Sequence, residues 1–166
     1  VEIYRDKKIY NQRFSKGHPA SKLKELKKKT NRKGTKVSFK PDPEIFGLDN
    51  YFNCKKLYDF SKSKAYLFAG VEIRWFCEGE ISKKENIPEN DIFKFSNGLI
   101  DLVENEVYEK MSLLTEIFSG NRERDKNNLS FEWAINWSLG NNSFLNSYCN
   151  TVPTPQGGTH EFGLKS

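Results

Sequence analysis

The chain has 166 residues, of which 36% are hydrophobic, 14% aromatic and 30% charged, a balance that can bury a core and excludes an intrinsically disordered chain. Its longest apolar run, residues 66–71, is far shorter than the roughly 20 residues that cross a bilayer, so we expect no membrane association through a spanning helix. The three cysteines show no Cys-x-x-Cys spacing, which favours reduced thiols in a cytoplasmic protein over a zinc site or a disulfide framework.

Charge is distributed unevenly along the chain. The net charge is +5, but residues 1–40 carry 14 basic and 3 acidic side chains, and residues 41–166 carry 13 and 19. The positive field is therefore local and can attract an anion. Residues 22–36 hold eight of the basic side chains and form the basic segment. Phosphate attraction is one interpretation, and a solvated loop is the other, since no aromatic residue in the segment could stack on a base. The DNA-binding candidates are Lys27, Lys28, Lys29, Arg32 and Lys33.

The first forty residues are typical of short strands and turns. Residues 1–5 and 9–14 are rich in β-branched and aromatic side chains and flank a polar tripeptide, which predicts a hairpin. Gly17-His18-Pro19 predicts a turn, and residues 21–33 an exposed connection. Residues 35–39 alternate between β-branched or apolar and polar side chains, which predicts a strand with one buried face.

The middle of the chain predicts a helix against a sheet. Between residues 54 and 68, Leu57, Phe60, Leu67 and Phe68 form an apolar stripe at helical spacing, opposite a lysine-rich face. The following elements are predicted as a strand at 71–75, a loop at 78–90, a strand at 92–95, a turn at Asn97-Gly98 and a helix that begins at Leu99.

The last third contains the clearest strand of the sequence. In residues 131–137, large aromatic or aliphatic side chains alternate with polar or small ones, which predicts a strand. An irregular region up to Gly120 and a charged loop at 121–128 are predicted before it. We expect residues 144–152 to pair with this strand across a turn at 140–142. Its aromatic stripe favours a sheet core over a base-stacking platform.

Three blocks in fixed order carry a family resemblance. They are residues 32–46, with Gly34-Thr35-Lys36-Val37; residues 63–73, with Ala69-Gly70-Val71-Glu72-Ile73; and residues 147–161, with Gln156-Gly157-Gly158-Thr159-His160. Together they resemble the B subunit of bacterial type IIA DNA topoisomerases over essentially the whole chain. The run Tyr148-Cys149-Asn150-Thr151-Val152-Pro153-Thr154-Pro155 is more similar to the topoisomerase IV form than to the gyrase form.

The resemblance implies an α+β fold and a piece of a longer protein. Residues 1–96 would be the C-terminal part of an ATPase sandwich of the gyrase, Hsp90, histidine kinase and MutL type. Residues 97–166 would be the first part of an α/β transducer domain, left incomplete. Such proteins use ATP and Mg²⁺, dimerise when ATP binds, and act with the A subunit of topoisomerase IV in an A2B2 heterotetramer on double-stranded DNA. The alternatives are a gyrase B segment and, from another class, a non-catalytic nucleic-acid-binding module that uses the basic segment.

The Gly-Thr pair suggests one wall of a nucleotide site. Gly34 lets the backbone turn tightly or approach a ligand, and the Thr35 hydroxyl can donate and accept a hydrogen bond, as adenine requires. If the strand is regular, Thr35 and Val37 share one face. The resemblance assigns the matching Thr to adenine binding and the matching Val to the pocket wall. It places no catalytic residue or metal ligand in this chain, so we expect the isolated segment to be inactive and to bind no cofactor by itself.

Residues 156–160 join a strand to a predicted helix. Two glycines permit unusual backbone angles, and Thr159 could cap the first turn. His160 has no Ser or Cys nearby with a convincing acidic partner, so a role in the turn is favoured over general-base catalysis.

Overall fold

The computed structural model describes residues 1–48, 51–107, 116–123, 129–138 and 143–166. The chain divides into two compact units, Val1–Phe52 and Asn53–Ser166, called the first and second unit below. Both mix short strands with helices. Within these ranges, no helix is long and apolar enough to cross a membrane. The division at residue 52 reflects compactness, and the domain boundary near residue 97 stays a prediction.

The first unit is built mainly from hairpins. Four strands form an antiparallel sheet in the order β5-β2-β1-β6, and β3 pairs with β4 in a separate hairpin. The predicted first hairpin is confirmed: Asp6 and Lys7 both have positive φ, 52° and 62°, as a two-residue turn between twisted strands requires. The elements are β1 Glu2–Arg5, β2 Lys8–Asn11, β3 Phe14–Ser15, β4 His18–Pro19, β5 Lys24–Leu26, β6 Gly34–Lys36 and α1 Pro43–Phe46.

Three predictions for the first unit need correction. The connection at 21–33 contains β5, which pairs with β2 and places Leu26 opposite the buried Ile9. His18 and Pro19 belong to β4 and not to the turn. The strand predicted at 35–39 is shifted and shorter, because its partner β1 begins at Glu2, which pairs with Lys36. All of β6 is exposed, so the predicted buried face is absent there.

The second unit packs helices against two-stranded sheets. α2 packs on the β7-β8 hairpin and on α4, and α4 packs on β10. The predicted helices at 54–68 and from Leu99 are confirmed, as are the strands near 71–75 and 92–95. The elements are α2 Cys54–Leu67, β7 Glu72–Phe76, α3 Gly79–Glu85, β8 Asn90–Lys94, α4 Leu99–Val107, β9 Phe118–Arg122, β10 Phe131–Ile135, β11 Tyr148–Cys149, β12 Val152–Pro153 and α5 Thr159–Lys165.

The buried face of α2 is not the predicted apolar stripe. Ala65 and Tyr66 are buried and Tyr58 is half-buried, whereas Phe60 and Phe68 are each 50% exposed. Tyr58 can turn inward because its hydroxyl donates to Asp91 Oδ2 at 2.6 Å, so its polar end keeps a partner. The Tyr66 ring stacks on Phe95 with centroids 3.6 Å apart. Aromatic contacts and hydrogen bonding therefore decided the orientation of the helix.

The predicted loop at 78–90 contains a helix, α3. Asn86 ends this helix in the left-handed conformation, φ 51°, which asparagine tolerates. The buried Ser82 hydroxyl donates to the carbonyl of Ile87 just beyond the helix. Local capping therefore stabilises a short helix in a stretch whose polar composition is typical of a loop.

The strand predicted at 131–137 is confirmed as β10, but its predicted partner is wrong. β10 pairs with β9, with Gly120 opposite Trp133. The Trp133 indole occupies the space where a side chain at position 120 would lie, so glycine here makes room for a large ring. Residues 144–152 contribute instead to a small hairpin of β11 with β12. The turn predicted at 140–142 lies outside the described residues.

Candidate nucleotide-binding site

Gly34 and Thr35 lie on β6, at one edge of the four-stranded sheet. They pair with Tyr4 and Ile3 of β1, and their side-chain positions are exposed. Gly34 has φ +124°, a conformation that L side chains rarely adopt, although no atom lies within 4 Å of where a Cβ would stand. The glycine is therefore required by backbone conformation and not by lack of space. The exposed Thr35 hydroxyl is available as both donor and acceptor.

Val37 lies one residue beyond β6 and is 65% exposed. The structure therefore places Gly34, Thr35 and Val37 on one short exposed stretch but does not align Thr35 and Val37 on one face of a regular strand. The stretch offers a hydroxyl, backbone groups and an apolar side chain, which suit a flat base with polar edges. Whether these three residues bind nucleotide stays a prediction.

Two charged residues and a tyrosine border this stretch. The sequence reasoning missed Glu2 and Tyr4 and named Arg32 only as a DNA-binding candidate. The Tyr4 hydroxyl donates to Glu2 Oε2 at 2.5 Å, and the Arg32 guanidinium lies 5.4 Å from the Tyr4 ring centroid. The hydrogen bond from Tyr4 lowers the pKa of Glu2, and the same bond raises the pKa of Tyr4. Glu2 and Tyr4 share a strand face by their period-two spacing, which is the signal that could have paired them.

The basic segment is exposed on the first unit. The five DNA-binding candidates all have exposed side chains, and across the described ranges none of them forms an ion pair. The Thr30 amide donates to the Lys7 carbonyl at 3.1 Å and attaches the segment to the first hairpin. These side chains are therefore free to bind an anion, and their role in DNA binding stays a prediction. They are Lys27, Lys28, Lys29, Arg32 and Lys33.

A hydrogen-bonded cluster surrounds the Gly-Gly-Thr-His block. Ser147 Oγ lies 2.7 Å from Thr154 Oγ1 and donates to Glu161 Oε2 at 3.2 Å, at a cavity of about 510 Å³. The ion pair with Lys165 lowers the pKa of Glu161. His160 Nε2 lies 3.4 Å from Thr154 Oγ1. These contacts hold a turn together, as the structural interpretation of His160 expects.

Thr159 does not cap the following helix. It is the first residue of α5, and Gly158 occupies the capping position without a side-chain hydrogen bond. Gly157 supplies the positive φ of the turn, 74°, whereas Gly158 is extended. The capping prediction was wrong because the helix begins one residue earlier than a capping Thr159 would allow.

The described residues contain no group of three His, Cys, Asp or Glu side chains that could hold a metal ion. The three cysteines all lie within the described ranges and form no disulfide, with Cys77 buried and Cys149 exposed. Mg²⁺ prefers carboxylate and other oxygen ligands, and the exposed stretch at Gly34, Thr35 and Val37 presents no carboxylate of its own. These residues therefore offer groups suited to a base but no carboxylate that could hold a magnesium ion.

Comparison with known proteins shows which proteins the chain is similar to. A family profile described as DNA gyrase B matches residues 98–166. The B subunit of DNA topoisomerase 4 from Bartonella bacilliformis is 47% identical over 166 residues, which cover 99% of this chain and 24% of that protein. The chain is related to the B subunits of bacterial type IIA DNA topoisomerases. The same-named protein of Rickettsia felis is 45% identical over 100% of this chain and 25% of its own length, so the chain spans about a quarter of these relatives.

Solved structures confirm the fold expected from the resemblance. The 43K ATPase domain of Thermus thermophilus gyrase B, in complex with an aminocoumarin, matches with a TM-score of 0.80 and 26% identity, over 99% of this chain and 42% of that chain. The B subunit of DNA gyrase from Myxococcus xanthus matches with a TM-score of 0.77 and 20% identity, over 99% of this chain and 46% of that chain. The second match supports the fold alone.

Proposed function

We propose that this chain is a segment of the ATP-binding subunit of a topoisomerase IV. The complete enzyme would pass one DNA duplex through another, together with its A subunit in an A2B2 heterotetramer, and would use ATP and Mg²⁺ in the cytoplasm, where bacterial DNA lies. The observation that carries the proposal is the whole-chain similarity to proteins named as the B subunit of DNA topoisomerase 4, up to 47% identity. The gyrase B of Chlamydia pneumoniae is 31% identical over a similar length.

Within this function, Thr35 would contact adenine and Val37 would line the pocket. Gly34 would let the backbone approach the ligand closely. The exposed hydroxyl of Thr35 and the φ of +124° at Gly34 support this assignment. The magnesium ligands and the groups that hydrolyse ATP would come from other parts of the complete protein. The segment alone would therefore hydrolyse no ATP.

We also propose the domain boundary near residue 97, with an ATPase part at 1–96 and a transducer part from 97 onward. The match to the DNA gyrase B family begins at residue 98, which supports this position. A turn and the start of α4 at Leu99 coincide with it. The Gly98 φ of +58° allows the chain to reverse direction here.

The test uses the complete protein with its A subunit and measures ATP-dependent decatenation of linked DNA circles. Thr35→Ala removes one hydrogen-bonding group worth about 0.5–1.5 kcal/mol, so the KM for ATP should rise about two- to tenfold. Thr35→Ser keeps the hydroxyl and should retain most of the affinity. Ser38→Ala is the matched control, because Ser38 is also an exposed hydroxyl residue and lies two residues beyond β6. An unchanged KM for ATP in Thr35→Ala would mean that Thr35 does not contact the nucleotide.

The same assay separates the alternatives. ATP-driven negative supercoiling would identify a gyrase, and neither activity in an intact, folded complex would contradict the proposed function. A non-catalytic nucleic-acid-binding module is the second candidate, favoured by the exposed candidate side chains of the basic segment, which form no ion pair within the described ranges. That candidate predicts strong DNA binding by this chain alone.

A further inference from the structure

Lys64 joins two parts of the second unit that are far apart in sequence. It lies on α2, and its ammonium donates to both the carbonyl and the hydroxyl of Thr151, with the hydroxyl oxygen 2.8 Å from Nζ. The two residues are 87 positions apart. The ammonium also lies 4.8 Å from the ring centroid of Phe60 on the same helix, and Lys64 is half-buried. Partial burial strengthens such charge-assisted hydrogen bonds relative to an exposed pair.

The acceptor is an unusual turn. Asn150 and Thr151 connect β11 to β12 with φ of 48° and 67°. Asparagine tolerates this region, but a β-branched threonine adopts it only when its surroundings compensate for the strain. The ammonium of Lys64 supplies such compensation by binding both oxygens of Thr151. This contact therefore helps to set the conformation of the turn.

The turn is connected to α5 by further hydrogen bonds. The Thr154 amide donates to the Ser147 carbonyl at 2.8 Å, and Ser147 Oγ donates to Glu161 on α5. A displacement of the β11-β12 turn would therefore be transmitted to α5 through bonded groups. On the other side, α2 carries the buried Tyr66 and packs on the β7-β8 hairpin. Lys64 thus links α2 to the β11-β12 hairpin, which is itself hydrogen-bonded to α5.

We propose that Lys64 is a positioning residue that couples α2, in the ATPase part, to the β11-β12 hairpin and α5, in the transducer part. Through this contact, ATP hydrolysis would stay linked to DNA strand passage. The inference rests on the proposed function and on the proposed boundary near residue 97. Lys64 touches neither nucleotide nor DNA in this scheme, and its effect is on coupling alone.

The deciding measurement is the number of ATP molecules hydrolysed per decatenation event by the complete protein with its A subunit. Lys64→Met keeps the length of the side chain and removes the ammonium. We expect the ATP cost per event to rise about fivefold, the lower part of the usual range for coupling between sites. Lys64→Arg, which can still donate to the carbonyl, should restore most of the coupling. Lys56→Met, an exposed lysine of the same helix, is the matched control.

A merely structural role gives a different result. Loss of folded enzyme would lower hydrolysis and decatenation in proportion, and an unchanged ratio in Lys64→Met would overturn the proposal. If Lys64→Met does not fold, Thr151→Val removes only the hydroxyl acceptor and should raise the ratio by a smaller factor. A folded Thr151→Val enzyme with an unchanged ratio would then overturn it.

Failure of the proposed function is distinguishable from failure of this inference. A wild-type complex without ATP-dependent strand passage contradicts the function. The contact is then tested by hydrogen exchange, because loss of the Lys64 ammonium should free the turn and speed exchange of the Thr154 amide. Unchanged exchange of this amide in Lys64→Met would overturn the coupling role, whatever the enzyme does.

Discussion

The two units differ in how they are stabilised. In the described part of the first unit, Ile9 is the one buried hydrophobic residue, whereas the described residues of the second unit include six, with Phe93 at 3% exposure. The first unit is therefore held together by strand pairing, and the second by helices packed on a hairpin. Because removal of apolar surface from water is the dominant stabilising contribution to folding, substitutions should affect the two units very differently.

Charge follows the same division. Residues 1–52 of the first unit carry 14 basic and 6 acidic side chains, whereas residues 53–166 of the second unit carry 13 basic and 16 acidic side chains. The two proposed ligands, ATP and DNA, both present phosphates. The comparison therefore suggests that the weakly packed unit attracts the ligands, whereas the well-packed unit supplies most of the buried core.

The largest expected effect tests the packing difference. Phe93→Ala empties a buried position on β8, beside Tyr58 of α2, and should lower the free energy of unfolding by about 3–5 kcal/mol. Phe76→Ala, on the neighbouring strand at a position that is 72% exposed, should change it by less than about 0.5 kcal/mol. Denaturant unfolding followed by circular dichroism measures both.

Ile9→Ala completes this experiment. Ile9 is the one buried hydrophobic side chain among the described residues of the first unit, so its loss should cost about 2 kcal/mol, at the low end for such substitutions. A cost equal to that of Phe93→Ala would mean that the two units are packed equally well, and the comparison would fail.

The next effect tests the charge difference. Reversal of Lys27, Lys28 and Lys29 to Glu should weaken duplex DNA binding by this chain at least about tenfold and reduce the slope of log affinity against log salt by about 2.7. The control reverses three exposed lysines of the second unit, Lys56, Lys83 and Lys84. Equal losses from both triple variants would indicate non-specific attraction, and unchanged binding would exclude the basic segment as a DNA contact.

The smallest effect concerns Tyr58 in the second unit. Burial, followed by the hydrogen bond to Asp91, raises the pKa of Tyr58 from 10.0 to about 12. The folded state therefore holds the phenol proton where the unfolded state releases it, and stability should fall as pH rises from about 10 to 12. Tyr58→Phe should cost about 1 kcal/mol at neutral pH and flatten this alkaline decline.

Unfolding curves at several alkaline pH values measure the effect. Tyr51→Phe, in the first unit, is the control because Tyr51 is 84% exposed. Tyr51→Phe should decline with pH as the parent chain does. If Tyr58→Phe declines as steeply, a raised pKa of Tyr58 does not contribute to the loss of stability at alkaline pH.

Local patterns predicted most elements of the fold. The first hairpin, the helix from Cys54 and the strand predicted at 131–137, observed at 131–135, all follow from short-range periodicity and turn chemistry. Predictions failed where a distant partner decided the outcome. The length of β6 depends on where β1 begins, and the pairing of β10 with β9 depends on the space that Gly120 leaves for Trp133.

The sequence by itself determined the resemblance to type IIA topoisomerase B subunits, through ordered motifs over the whole chain, and it indicated Gly34, Thr35 and Val37 as candidate nucleotide contacts. Only the tertiary structure decided which face of α2 is buried, that Tyr4 pairs with Gly34 and contacts Arg32, and that Lys64 reaches Thr151. The reason is physical. Periodicity records which side chains share a face of one element, but packing and hydrogen bonding between elements select the face and the partner.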